Sequence, residues 1–408
     1  MNTINDAQPV NSRALTFIFI TVLIDVIGLG IILPVLPDLI IELSGKPLNE
    51  AGAIAGWMTF AFSSALFICA PVMGGLSDRF GRRPVLLLSL FGFGLDYLFQ
   101  AMAPNILWLF IGRTIAGITG SSYTTASSYI ADVSPPDKKA QNFGLIGAAF
   151  GLGFIIGPSL GALLGNYGLR IPFIASGILA LMNMGFGFFV LPESLKPENR
   201  RPFDWKRTNP FGTLKVLFRY PILKSFLFTL FAVNIAHHAL QSTWSFITIA
   251  KFGWDAKMIG LSLTMVGLMV AIVQGGLSRV ILPRLGSKKA IFTGLTISML
   301  GYYAYSLATE GWMMFAITIP FAFGGLAGPS IQGLVSNQVP RDAQGELQGG
   351  LTGIISLSAI IGPLIMTRIF SHFSMKDAEN YYPGAPFFAA GILISLGILL
   401  ILKPLSKI

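Results

Sequence analysis

Long apolar runs broken by short polar stretches make up almost the whole chain. They fall at 15 to 36, 51 to 72, 85 to 103, 106 to 130, 140 to 164 and 171 to 191, then at 222 to 250, 258 to 282, 290 to 308, 312 to 336, 347 to 370 and 385 to 402. A membrane-crossing helix needs about 20 apolar residues, so each run predicts one span. The pattern therefore predicts an all-α membrane protein of twelve transmembrane helices. The residues up to about Ala14 are short and polar, and the run after them is long enough to span rather than to be cleaved as a signal.

The longest polar segment, Pro192 to Pro221, separates two sets of six runs and carries Lys196, Arg200, Arg201, Lys206, Arg207, Lys215 and Arg219. This divides the chain into a six-helix bundle over 1–191, a linker over 192–221 and a second six-helix bundle over 222–408. The halves echo each other. Gly74-Gly75-Leu76-Ser77 returns as Gly275-Gly276-Leu277-Ser278, and Gly157-Pro158 returns as Gly362-Pro363, both about 200 residues later. Two pseudo-symmetric halves imply alternating access about a central site, although Gly-Pro pairs also kink apolar helices for purely structural reasons.

Composition supports the same picture. With 53% apolar and 11% charged residues and a mean hydropathy of +0.70, the chain is too apolar for a soluble protein and belongs among membrane lipid. The net charge of +10 would suit nucleic acid, but the Lys and Arg residues sit in short loops between runs, so no nucleic-acid partner is expected. Arg79, Arg82, Arg83, Lys138, Lys139, the linker, Arg279 to Lys289, Arg341, Lys403 and Lys407 all fall on one side. Positive charge marks the cytoplasmic side, which places both termini there. The single cysteine, Cys69, rules out an internal disulfide framework or a cysteine-rich metal site. No Walker sequence, Ser-His-Asp arrangement or phosphate loop is present, so neither ATP-driven transport nor hydrolysis has a site, and no enzyme and no cofactor are expected.

Charged groups inside the runs carry the candidate chemistry. Asp25 lies well within span one, where a charge costs several kcal/mol. It is a candidate proton carrier, or else a structural, hydrogen-bonded carboxyl. Asp96 in span three is a second acid of this kind, and Arg113 in span four is a cation able to hold one carboxylate ionised while another titrates, or simply to pair with it statically. His237 and His238 in span seven are further titratable candidates, but adjacent helical positions point about 100° apart, so both cannot face one cavity equally. No acid or cysteine stands near them at metal-ligand spacing.

Between spans two and three, Gly75, Asp78, Arg79, Gly81, Arg82 and Arg83 fall within a stretch read as a tight turn, in which Asp78 can pair with Arg82 or Arg83 or meet a helix N-terminus. The combination suggests a conformational latch, with Asp132 at the end of span four as a further member. The alternative is a solvated loop that only fixes topology. Gly157 and Pro158 lie in a glycine-rich face of span five suited to tight, sliding helix contact. Tyr97, Gln241, Trp244, Gln332 and Asn337 are candidates to line a substrate cavity.

Three stretches carry a family resemblance: Asp25-Val26-Ile27-Gly28-Leu29-Gly30 through Pro34 and Pro37, Ser77-Asp78-Arg79-Phe80-Gly81-Arg82-Arg83-Pro84, and Gly147-Ala148-Ala149-Phe150-Gly151-Leu152-Gly153. Phe252-Gly253-Trp254, Gln332-Gly333, Leu347-Gln348-Gly349 and Ile361-Gly362-Pro363-Leu364 extend it into the second half. Together they resemble the tetracycline/proton antiporters and related drug exporters of the major facilitator superfamily. The resemblance implies a bacterial inner-membrane antiporter, working as a monomer, that exchanges protons for a small amphipathic molecule. It implies that Asp25, Asp96 and Arg113 are the family's buried acids and arginine, and that Asp78 belongs to its gating motif. Tetracycline exporters also carry an acid in span nine and a histidine in span eight. Here Gly294-Leu295-Thr296-Ile297-Ser298-Met299 and Gly267-Leu268-Met269-Val270 hold neither. Coupling then rests on the N-terminal half or on His237 or His238, and tetracycline itself stays open as a substrate. The competing expectations are a facilitator or importer of a metabolite or siderophore on the same fold and, further off, a membrane receptor or scaffold that does not transport.

Overall fold

The computed structural model describes residues 12–120, 122–134, 139–200, 202–203, 223–336, 338, 344–375 and 380–407. Among them no strand occurs, and every apolar run is helical. The first six runs form α1 (Ser12–Ile32), a short α2 (Leu36–Ser44), α3 (Leu48–Phe80), α4 (Arg82–Ala101), α5 (Ile106–Thr119) with α6 (Ser122–Val133), α7 (Lys139–Gly165) and α8 (Ile171–Val190). The second six form α9 (Leu223–Phe252), then α10 (Ala256–Val270) continued by a π-helical turn (Ala271–Leu277) into α11 (Ser278–Leu285). They go on through α12 (Ser287–Leu307), α13 (Gly311–Phe321) with α14 (Ala327–Ser336), α15 (Gln344–Phe373) and α16 (Ala385–Lys407).

Nine crossings among the described residues are both long and apolar enough to traverse a bilayer. The other three expected spans are helical too, but interrupted or more polar. Span four is divided into pieces of 14 and 12 residues, α9 carries Lys224, Asn234, His237, His238, Gln241 and Lys251, and α12 opens on Lys288-Lys289.

The stretch from Gly74 to Pro84 is not the open turn its glycines suggest. α3 runs on through Phe80, and α4 begins at Arg82. Only Gly81 breaks the path, at φ +108°, a conformation that costs little for glycine alone. Of the expected linker, residues 201 and 204–221 lie outside the described residues.

Small residues let the helices approach closely, as is usual where lipid gives no hydrophobic drive between spans. α7 packs along α1, and a Cβ added to Gly157 would come within 2.8 Å of Gly30 Cα. On its other side α7 meets α10, where a Cβ on Gly260 would lie 2.7 Å from the Pro158 carbonyl oxygen. Gly157-Pro158 is thus the joint at which α7 touches both neighbours.

Contacts between the two sets of six helices gather at the end away from Gly81. α3 packs on α15 there, with Gly52 against Phe370 and Gly56 against Thr367. Ser159 and Thr264 share a hydrogen bond of 2.7 Å between α7 and α10, and Ser245 on α9 donates to the Leu33 carbonyl at 3.3 Å.

Candidate functional site

A cavity of about 120 Å³ opens among α1, α3, α4, α5, α6, α7 and α8, lined by Asp25, Phe62, Phe93, Tyr97, Arg113, Ser122, Phe150 and Ser176 with smaller apolar neighbours. Its wall is mostly aromatic and aliphatic, with few polar groups, the usual make-up of a small-molecule site. Asp25 reaches it from the middle of α1. The Asp25 Oδ1 atom is shielded from solvent and has no hydrogen-bond partner. An unsatisfied carboxylate oxygen in such a place is costly, which makes it a natural seat for a proton or a donor group on a ligand.

Asp96 is fully buried on α4, and although its Oδ1 is likewise without a partner, its Oδ2 is held firmly. Arg113 of α5 ion-pairs with its Oδ2, and Gln100, one turn along α4, donates to the same oxygen at 2.8 Å. Gly112 makes this pairing possible, because a Cβ there would stand 2.8 Å from Asp96 Oδ1. The Arg113 guanidinium also lies over Phe62 at 5.7 Å and Tyr97 at 5.9 Å, contacts that favour a desolvated cation. The two acids named from the sequence each leave Oδ1 without a hydrogen-bond partner, but they differ in charge pairing: Asp96 is held by an arginine, whereas Asp25 lines the cavity with no ion pair among the described residues.

At the far end of α3, Arg82 gathers the acids. Its guanidinium meets Asp78 at 2.6 Å and Asp132 at 3.0 Å and donates to Ser77 Oγ at 3.0 Å. Of the partners open to Asp78, the structure selects Arg82. Arg83 instead donates to the Phe188 carbonyl at 2.6 Å and lies 5.5 Å over the Phe188 ring. Arg79 is exposed and rests on Phe80 at 5.1 Å, apart from this network, and Gly75 lies within α3.

Glu193, which sequence reasoning missed, completes the cluster. It accepts the backbone N–H groups of Arg82 at 2.8 Å, Arg83 at 3.2 Å and Leu195 at 3.0 Å, while Ser194 donates to Asp132 at 3.1 Å. The signal was the acid placed directly after α8, which can reach the free N–H groups opening α4.

In the second half the expected residues separate. Trp244 is buried among Tyr305 and Phe387 and donates to Ser262 Oγ at 2.9 Å, so it belongs to the aromatic core and not to the cavity wall. His237 and Gln241 are exposed, whereas His238 is half-buried against Gly362 of α15, as two positions 100° apart require. Gln332 is exposed on α14, and Asn337 lies outside the described residues. None of these lines the cavity around Asp25, which is built from the first half alone.

Comparison with known proteins agrees with the helical architecture. A family model described as Major Facilitator Superfamily matches residues 18–285 and 251–407. Tetracycline resistance protein, class C, of Escherichia coli is 39% identical over 364 residues, covering 88% of this chain and 90% of that protein. The class D protein of Salmonella ordonez is 35% identical over 398 residues, covering 97% and 98%. Among solved structures, the human organic anion transporter MFSD10 (TETRAN) shares the fold with a TM-score of 0.72 at 24% identity, covering 97% of this chain and 100% of that one. The nucleoside transporter NupG shares it with a TM-score of 0.77 at 13% identity, covering 97% and 99%. The chain is a multi-pass membrane transporter that belongs to the Major Facilitator Superfamily and, within it, to the family of the tetracycline resistance proteins.

Proposed function

We propose that the chain is a proton-coupled antiporter of a bacterial inner membrane, with both termini cytoplasmic, that exports small amphipathic compounds of the tetracycline type by alternating access. One observation carries this reading: Asp25 lines an aromatic-walled cavity with no ion pair among the described residues, while the second acid, Asp96, is held by Arg113. A proton and a substrate donor group compete for Asp25, so each turnover exchanges one for the other. Fixing Asp96 as the partner of Arg113 leaves Asp25 as the group whose charge changes, and export is driven because one proton entering down a membrane potential supplies about 2.3 kcal/mol per 100 mV. The cluster of Asp78, Arg82, Asp132 and Glu193 acts as the latch at the end away from the closed seam, and 1–191 and 222–408 move as two bundles against each other.

Tetracycline added to inverted vesicles carrying a pH gradient tests the proposal. It should release protons with the wild-type chain and not with Asp25→Asn. Transport without proton flux in both would instead support a facilitator.

A further inference from the structure

The face of α9 turned toward the first half does more than carry a histidine. Helical positions advance by about 100°, which places Asn234, His237, Gln241 and Ser245 within an arc of about 80°. Contacts fix where that arc points. Ser245 donates across the seam to Leu33 beside α1. On one flank His238 packs on Gly362 of α15, and on the other Trp244 is bound to Ser262 of α10. Within the arc His237 and Gln241 are exposed, and Asn234 is partly so with its Nδ2 donating to Leu230 O at 2.7 Å. Exposed amide and imidazole groups at membrane depth are tolerated where water or a ligand meets them, and costly against hydrocarbon. The arc holds no Asp, Glu, Lys or Arg.

We propose that Asn234, His237 and Gln241 form an uncharged, hydrogen-bonding wall of the transport path that recognises hydroxyl, carbonyl or amide groups on the substrate. This deepens the antiport reading and rests on it: the first half exchanges the proton, and α9 selects the polar face of the cargo. His237 is then a specificity-determining residue and not a proton carrier. A site that satisfies such groups discriminates strongly against analogues that lack them, because its own polar atoms are left unpaired.

Single cysteines placed in a Cys69→Ser chain at Asn234, His237 and Gln241, and at buried Ala236 and Ala239, test the geometry. A membrane-impermeant maleimide, applied to inverted and right-side-out vesicles, should label the first three many times faster than the last two, and tetracycline should slow that labelling. Equal slow labelling at all five, or labelling that tetracycline leaves unchanged while the chain transports it, overturns the proposal. His237→Leu and Gln241→Leu should each raise KM for tetracycline roughly 3- to 10-fold, the scale of one neutral hydrogen bond, with proton release per turnover unchanged. KM for tetraphenylphosphonium, which has no hydrogen-bonding group, should stay as it is. An equal rise for both compounds, or loss of proton release in His237→Leu, also overturns the proposal. A wild-type chain that exports neither compound defeats the antiport reading as well, whereas export with an unlabelled α9 face defeats this inference alone.

Discussion

The main-chain N–H of Arg82 donates to the Glu193 carboxylate at 2.8 Å, so the first residue of α4 is capped by the acid that follows α8. The same arginine's side chain holds Asp78 and Asp132. One residue thus joins the ends of α3, α4, α6 and α8 through its backbone and its guanidinium together. Anions at a helix N-terminus are favoured by the free N–H groups and the helix dipole.

Glu193→Ala should therefore cost about 1 kcal/mol of stability, the usual scale for a lost helix cap. It should lower transport further by freeing Arg82. Gly81→Ala should be worse, since its φ of +108° is strained for alanine and its Cβ would fall 2.2 Å from Glu193 Oε2. Thermal denaturation of the detergent-purified variants ranks the two.

Arg113→Ala leaves Asp96 buried with Gln100 as its remaining partner. Breaking a buried pair from one side costs about 3–5 kcal/mol, so this variant should express poorly. Adding Asp96→Asn removes the stranded charge and should restore most of the stability, without restoring transport. A double-mutant cycle on melting temperature measures the recovery. Equal stability of Arg113→Ala and the double variant contradicts the pairing.

At the seam between α3 and α15, a Cβ on Gly56 would overlap Thr367 Oγ1 at 1.9 Å, whereas one on Gly74 of the same helix meets nothing within 4 Å. Gly56→Val should hold the seam apart and slow transport strongly, and Gly74→Ala should change stability by less than about 0.5 kcal/mol. The rate at which a cysteine at Thr367 reacts with an impermeant maleimide should rise only in the Gly56 variant.

Trp244→Ala should act as a core truncation, losing about 3–5 kcal/mol through the void left among Tyr305 and Phe387, with KM little changed in the protein that survives. A change in substrate preference without loss of stability would instead put the indole at the transport path.

The apolar runs foretold the helices because hydrocarbon thickness sets a run length that is readable without any contact information. Asp25, Asp96 and Arg113 stood out for a similar reason, as charges where charge is expensive. Their different fates were not legible: Asp96 meets Arg113 because Gly112 lets α5 close on α4, a fact of packing between helices. Trp244 misled for the same reason, since an indole suits a cavity wall and an aromatic core equally until Ser262 is seen to accept its N–H. The glycines of 74 to 81 suggested a turn, yet only Gly81 needs glycine's backbone freedom and the rest ride on α3. Glu193 escaped because the helix-opening N–H groups it caps, on Arg82 and Arg83, lie more than 100 residues away, and only its place after α8 hints at them.

Whether Asp25 carries the exchanged proton is tested by comparing two modes of tetracycline transport by Asp25→Asn in one vesicle preparation. Proton-driven accumulation should vanish while counterflow exchange, which needs no net proton movement, continues. If Asp25→Asn still accumulates tetracycline against its gradient as the wild type does, another group carries the proton.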